Sequence, residues 1–421
     1  MTSSFSFQGI LIWLICAVFF LYEFLLRTIV GTFQHPIMYE LDLNAVEFSF
    51  LSSTIYLLIY AVMQIPVGLI VDRIGLKNSL LIGCVICAFS SIGFAQTHSY
   101  PIASLFRFLT GFGSAFGFIC LLVSVYEWLP ASKRSFLIGM SLFIGTMGPM
   151  IAAGPVEAMA ESGDLNWRSV FHTLGIFGFG LCVLIFFFVK NNSEKTGKHV
   201  ILKRPESIGK TLKHLFSKPQ VLWVCSLTAL TYFSLEYLSE NDGKLFLISK
   251  GIDALDASFM LSLSWFGYAI ACPLMGWFSD YTQRRKPTFI LVSFITTLSL
   301  SVIVFSFEDY ILRIAFFMLG VGASGSTIGY AAMSEQFKKP YLAAGLSLNN
   351  AALTGIAAIN APILGYILDS LKIEDIPSAQ TYMTTFTVMI VMVGIAIPVA
   401  LFLFKETYCK SSADYTYLSR K

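Results

Sequence analysis

The sequence predicts an all-α membrane protein with about twelve transmembrane helices in two pseudo-symmetric six-helix lobes. Three observations lead there. The composition, 56% apolar, 15% aromatic and only 13% charged, carries more apolar surface than a water-facing domain can hide. Apolar runs of roughly 20 residues, enough for a helix to cross a ~30 Å hydrocarbon core, recur along nearly the whole chain. A loop signature after the second run, Gly68, Asp72, Arg73, Gly75 and Lys77, returns in degenerate form as Gly276, Asp280, Arg284 and Arg285.

Taken in order, the runs cover about 9–33, 47–71, 79–96, 101–128, 134–158, 169–190, 220–246, 256–279, 287–306, 310–334, 342–368 and 379–404. Unpaired backbone groups cannot face lipid, so the runs are helices. A β-barrel would alternate over about ten residues, whereas Leu181 to Val189 is apolar at consecutive positions. The opening MTSSFSFQG has neither a basic stretch nor a small-residue cleavage site, so the first run is read as a retained span. Hydropathy breaks once, where Lys195, Lys198, Lys203, Arg204, Lys210, Lys213 and Lys218 crowd together. This divides the chain into an N-terminal lobe at 1–190, a cytoplasmic basic linker at 191–219, a C-terminal lobe at 220–404 and a cytoplasmic tail at 405–421. The linker is a solvated tether or, around Ile208 to Phe216, a lipid-headgroup contact.

Lys and Arg near span ends stay in the cytoplasm. One set of alternate loops holds Arg73, Lys77, Lys133, Arg134, Arg284 to Lys286, Lys338 and Lys339, with Arg420 and Lys421 in the tail; the opposite loops hold acids such as Glu40, Asp42, Glu308 and Asp309. Both termini are therefore expected inside. A net charge of +3 gives no argument for nucleic acid. Cys84 and Cys87 form a C-x-x-C, but in mid-helix they read as small packing residues, and no metal or cofactor is expected.

The repeat can be tested away from the signature that suggested it. Asp72 and Asp280 stand 208 residues apart, and so do Glu127 and Glu335, each just ahead of a basic pair. Physically, Gly68 permits close helix approach and Gly75 a tight turn, while Asp72 can sit at a helix N-terminus. Arg73 can pair with a carboxylate, and Glu127 is the candidate. The group is a gate or a topology determinant and folding clamp.

Over essentially its full length the chain resembles the major facilitator superfamily, whose loop pattern G-x-L-x-D-R-x-G-R-K reads here as Gly68, Ile70, Asp72, Arg73, Gly75, Leu76 and Lys77. The resemblance implies parallel six-helix repeats, alternating access and a small-molecule substrate. Arg107 and Gly111 match the R-x-x-x-G of the fourth span, which implies a site or proton-transfer role for Arg107. The stretch L-Y-E-F-L-L-R-T-I-V-G-T-F resembles the organic anion:cation symporters, which carry an arginine at the Arg27 position; bacterial relatives of the lysosomal dipeptide transporter branch are a second resemblance. The fifth span, with Gly145, Gly148, Pro149, Gly154 and Pro155, is suited to close packing and a bend.

Charges at membrane depth cost a few kcal/mol each, so each requires a reason. Glu23 and Arg27 lie one helical turn apart. Either they pair during insertion, or they line a polar cavity where Arg27 grips an anion with its planar fork and Glu23 exchanges a proton. Tyr56, Tyr60 and Gln64 recur every fourth residue, as a pathway lining or an interhelical hydrogen-bonding stripe. Glu236 is a possible cavity group in a span whose outer end, Glu240 to Lys244, reads as broken or solvated; Asn349 and Asn350 need partners. Arg313 has a simple alternative to a site role, an ion pair with Glu308 or Asp309.

The loops show no nucleophile elbow, Walker loop or metal cluster, so no enzyme is expected. The expected function is secondary active transport of a small anionic or zwitterionic metabolite, as proton-coupled uptake by a monomer in a bacterial inner membrane. A dipeptide, carboxylate-siderophore or amphipathic-compound carrier, an exporter and a nontransporting sensor are the alternatives.

Overall fold

The computed structural model describes residues 6–43, 47–48, 50–130, 133–152, 156, 159–160, 165–191, 213–337, 341–371 and 377–410. Most of the expected basic linker lies outside the described residues, as do Gly154, Pro155, Lys338, Lys339 and the tail from 411 onward. Among the described residues, ten helices are long and apolar enough to cross a membrane, and a shorter apolar helix covers Leu342–Ala357.

The chain forms two compact units. Unit 1 is Met1–Ser132, Ile144–Ile208 and Lys339–Ser347; unit 2 is Lys133–Phe143, Gly209–Lys338 and Leu348–Lys421.

In unit 1, α1 (Phe7–Thr32) starts where the Ser6 hydroxyl accepts the Gly9 N–H at 3.1 Å, and α2 (Gln34–Leu41) follows Phe33. A π-helical turn (Phe50–Thr54) runs directly into α3 (Ile55–Ala95). Together they make 46 helical residues, which at 1.5 Å per residue would reach ~70 Å, twice the hydrocarbon thickness. The chain turns instead at Gly75, with φ 82° and ψ 171°. The positive φ favours glycine there, and a Cβ would lie 2.6 Å from Asn191 Oδ1, which would have to move aside. The spans expected at 47–71 and 79–96 are thus two helices that meet at the Gly75 kink. Helices α4 (Tyr100–Trp128), with Pro101 in its first turn, α5 (Arg134–Ile151), whose residues up to Phe143 belong to unit 2, and α6 (Trp167–Phe188), capped by Asn166 on Arg168 N at 2.8 Å, follow.

Unit 2 contains α7 (Pro219–Glu240), α8 (Gly243–Ser249), α9 (Ala254–Thr282), α10 (Lys286–Phe305), α11 (Asp309–Ala323), α12 (Gly325–Gln336), α13 (Leu342–Leu371) from Leu348 onward, its first residues up to Ser347 belonging to unit 1, and α14 (Ala379–Gly394), which continues to Leu403. The break between α7 and α8 falls where the acids crowd, and the Tyr237 hydroxyl donates to Asp242 Oδ2 at 2.7 Å. Phe233, Phe246, Leu300, Phe316 and Phe386 lie in its buried core, with Phe246 edge-on to Phe386 at 5.0 Å between centroids. Arg313 pairs with Asp309 at 2.8 Å and with Asp256 at 3.0 Å.

A structural echo of the repeat appears at two helix C-termini, whose last carbonyls carry partial negative charge. In unit 1, Arg168 Nη1 donates to Ala95 O at 2.8 Å and Thr97 O at 2.7 Å. In unit 2, Lys250 Nζ donates to Ile303 O, Val304 O and Ser306 O at 2.7, 2.8 and 2.6 Å. Ala95 and Ile303 are 208 residues apart, yet the capping cations come from unrelated places in the chain. Burial pushes the Lys250 ammonium down to about 8, and its three carbonyl acceptors favour the charged form.

Candidate functional site

The charged groups at membrane depth in unit 1 gather around α1, α3 and α4. Glu23 is 2% exposed, and its Oε2 accepts the Tyr56 hydroxyl at 3.0 Å. The Tyr56 and Tyr60 rings stack at 6.1 Å and 11°, which puts both phenols on the Glu23 side of α3. Gln64, one turn further, is fully buried, and neither its amide nitrogen nor its oxygen has a hydrogen-bond partner among the described residues. Arg27 is half-buried, its guanidinium 5.3 Å from the Phe24 ring centre.

Arg107 sits among these groups in a different role from the others. Its guanidinium, 1% exposed, donates to Leu51 O at 3.2 Å, Leu26 O at 3.0 Å, Arg27 O at 3.4 Å and Ser52 O at 2.6 Å. Two of these carbonyls belong to the π-helical turn, where the wider winding removes the usual α-helical partners. The planar fork therefore ties α1 to that turn. It also lies 4.9 Å from the Tyr56 ring centre, so the side chain that fixes the turn also braces the phenol on Glu23.

The loop signature forms a second pair of clusters, one in each unit. Asp72 Oδ2 accepts Ala344 N at 3.3 Å at the start of α13 in unit 1, and Asp280 Oδ2 accepts Phe136 N at 3.1 Å at the start of α5 in unit 2. Both donors and both acceptors are 208 residues apart, so the repeat holds at the level of individual bonds. A carboxylate beside exposed helix N–H groups is the favourable polarity. Gly68 and Gly276 make the approach possible: a Cβ would lie 3.0 Å from Ala343 O at the first and 2.5 Å from Ser135 O at the second. Lys77 donates its backbone N–H to Asn191 Oδ1 at 3.0 Å and lays its ammonium 4.9 Å from the Phe186 ring. Arg73 is exposed and Glu127 half-buried.

Beyond that shared bond the units differ. In unit 2, Arg285, 3% exposed, donates to Asp280 Oδ1 at 2.8 Å, to Ser279 Oγ at 2.9 Å and to Glu335 Oε1 from Nε at 3.1 Å and Nη2 at 2.7 Å. Its neighbour Arg284 is exposed. Glu406 accepts the backbone N–H groups of Arg285 and Lys286 at 2.8 and 2.9 Å, and the Thr407 hydroxyl donates to Glu335 Oε2. Burial alone would lower the pKa of Arg285; Glu335 and Asp280 outweigh it and raise it above the ordinary guanidinium value. Burial also pushes the Cys409 thiol up to about 12, which leaves it unreactive. Nothing in the sequence signals Glu406.

In unit 2, Glu236 is 3% exposed, and the Tyr330 hydroxyl donates to Asn350 Oδ1 at 2.6 Å. Asn349 is fully buried, and neither of its amide atoms has a hydrogen-bond partner among the described residues, the same state as Gln64 in unit 1. Among the described residues no group of three or more His, Cys, Asp or Glu side chains is placed to hold a metal ion.

The model of the family described as Major Facilitator Superfamily matches residues 14–249 and 245–415. A hexuronate transporter of Bacillus subtilis is 24% identical over 257 residues, 58% of each chain. A probable sulfoacetate transporter of Cupriavidus necator is 27% identical over 136 residues, 32% of this chain and 31% of its own. The matched region is thus less than two thirds of either relative. The solved structure of the proton:xylose symporter XylE bound to 6-bromo-6-deoxy-D-glucose superposes with a TM-score of 0.75 at 15% identity, covering 98% of this chain and 99% of that one.

Proposed function

Because the chain belongs to the major facilitator superfamily, we propose that it is a secondary carrier taking up a small organic anion together with a proton. One observation carries the reading: a buried carboxyl, Glu23, held by the Tyr56 hydroxyl, with the half-buried guanidinium of Arg27 one helical turn away. A carboxyl enclosed in protein changes its proton affinity when its surroundings open to water, which is what coupling needs. A permanently charged planar fork suits a carboxylate or sulfonate. The two relatives named above are described as carriers of hexuronate and of sulfoacetate, both organic anions. Arg107 is engaged by four backbone carbonyls, and the anion-binding candidate of this reading is Arg27, one helical turn from Glu23.

The test is uptake into proteoliposomes. With an alkaline interior, the wild type is expected to accumulate labelled glucuronate or sulfoacetate. Glu23→Gln is expected to fall to the level of empty vesicles under the gradient while still exchanging internal for external substrate. Gradient-driven accumulation by Glu23→Gln equal to the wild type would remove Glu23 from coupling.

The two signature aspartates supply the gate in this reading, with both termini cytoplasmic. Asp72→Asn removes a charge from the N-terminus of α13, an interaction of about 0.3–1 kcal/mol. Insertion and expression should be unaffected. The balance of inward- and outward-accessible states should move roughly two- to fivefold, read by cysteine accessibility labelling. Unchanged labelling with normal expression would leave Asp72 a folding clamp only.

A further inference from the structure

We propose that Cys84 and Cys182 form a dithiol site for a trivalent arsenical, which joins α3 to α6 through two bonds from arsenic to sulfur. The site lies within unit 1 and is independent of the carrier reading. Helices α3 and α6 run antiparallel in close contact. Gly175 faces Ile92, Gly178 faces Ala88, where an added Cβ would lie 2.8 Å from the Ala88 Cβ, and Lys77 N donates to Asn191 Oδ1 at 3.0 Å. Cys84 is one turn before Ala88 and Cys182 one turn after Gly178, so this register sets the two cysteines at one level. Cys84 Sγ donates to Gly178 O at 3.3 Å, and the thiols of Cys84 and Cys182 are hydrogen-bonded to each other. The C-x-x-C spacing thus points to the wrong pair, because Cys87 turns toward α4, with its Sγ 3.8 Å from Thr110 O and 3.6 Å from Ser114 Oγ.

Two thiols held side by side suit a thiophilic centre that takes two sulfurs at once. In the reaction with R–As(OH)2, each thiol exchanges an arsenic–oxygen bond for an arsenic–sulfur bond. Its proton leaves with the displaced hydroxide as water, and arsenic keeps its oxidation state. The product is neutral, so no charge is left in the apolar interior, where it would be costly. A disulfide would need an oxidant and sulfurs drawn into bonding distance; a bridging arsenic needs neither. Entry is from the lipid side. Cys182 is 9% exposed beside the exposed Phe179, Val183 and Phe186, whereas Cys84 is fully buried. The first bond therefore forms at Cys182, with the organic group left toward the lipid, and Cys84 closes the second as an intramolecular step. Cys16 and Cys120, a second neighbouring pair, are both fully buried and offer no such entry.

The probe is phenylarsine oxide, which is neutral and lipid-soluble. It is added to the purified full-length protein in detergent, and bound arsenic is counted by intact-protein mass spectrometry after washing with mercaptoethanol. The wild type should keep one phenylarsenic group per chain through that wash and lose it to 2,3-dimercaptopropanol, because a monothiol competes poorly with a two-sulfur chelate. Cys84→Ser and Cys182→Ser should each keep none, and Cys87→Ser should keep one. Retention by Cys84→Ser or Cys182→Ser equal to the wild type overturns the site, and so does a wild type that keeps none. Retention by the wild type only after unfolding in dodecyl sulfate overturns it as well, since the fold would then not bring the thiols together. Should a serine variant fail to fold, digestion of the loaded wild type decides. The peptides carrying Cys84 and Cys182 must be recovered joined through arsenic, and arsenic on any other pair of cysteines overturns the proposal.

Discussion

Arg285→Gln is expected to destabilise unit 2 by about 3–5 kcal/mol, a large share of the stability of any domain. The guanidinium is 3% exposed and engages Asp280 and Glu335, whose side chains are 10% and 9% exposed. Removing it leaves two carboxylates close together with little water and no counter-charge, the situation in which breaking a buried ion pair costs most. Arg285→Lys keeps the charge but replaces a planar fork by a point charge, so it should fall between wild type and Arg285→Gln. Arg284→Gln, at an exposed position, should stay within about 0.5 kcal/mol of wild type. Combining Arg285→Met with Asp280→Asn and Glu335→Gln should recover much of the loss, because the penalty comes from the unpaired partners. Thermal unfolding in detergent separates these variants. Equal melting of Arg285→Gln and Arg284→Gln would show that the cluster contributes no stability.

The contrast between Arg284 and Arg285 marks where the sequence stops being informative. A hydropathy pattern and a 208-residue offset were enough for the helices, the repeat and the carboxylates at helix starts, because each follows from a constraint that acts on residue type: lipid excludes polar backbone, and helix N-termini attract anions. Which of two adjacent arginines turns inward depends on the helix phase at Lys286, which no composition encodes. The capping cations show the same limit. Arg168 and Lys250 close equivalent helix ends, but any long cation from any nearby loop can do so, and their positions do not repeat. Glu406 is harder still. It reaches the start of α10 from a segment 120 residues away in sequence, a contact that exists only once the whole unit has folded.

At Arg107 the role that the resemblance implies and the contacts of the side chain point in different directions. The R-x-x-x-G match implies a site or proton-transfer group, whereas the guanidinium contacts four backbone carbonyls from α1 and the π-helical turn. Arg107→Met should therefore be a folding mutation before it is a transport mutation. Interhelical hydrogen bonds within membranes average only ~0.6 kcal/mol, so four of them amount to roughly 2–3 kcal/mol. The carbonyls of Leu51 and Ser52 are then left in a turn whose winding has already removed their α-helical partners, which places the expected loss at the upper end of that range. Arg107→Lys offers three donors from one nitrogen and cannot span two backbone segments, so it should rescue only part of the melting temperature. The loss should spread to Tyr56, whose ring lies against the guanidinium and whose hydroxyl holds Glu23, so uptake should fall in parallel with stability. A purely chemical role predicts the reverse: Arg107→Met melting like the wild type, with only the pH dependence of uptake displaced. Because α1 and the π-helical turn are joined through this side chain, protease access or hydrogen exchange at 50–54 in Arg107→Met gives the most direct reading, and protection there equal to wild type would exclude the clamp.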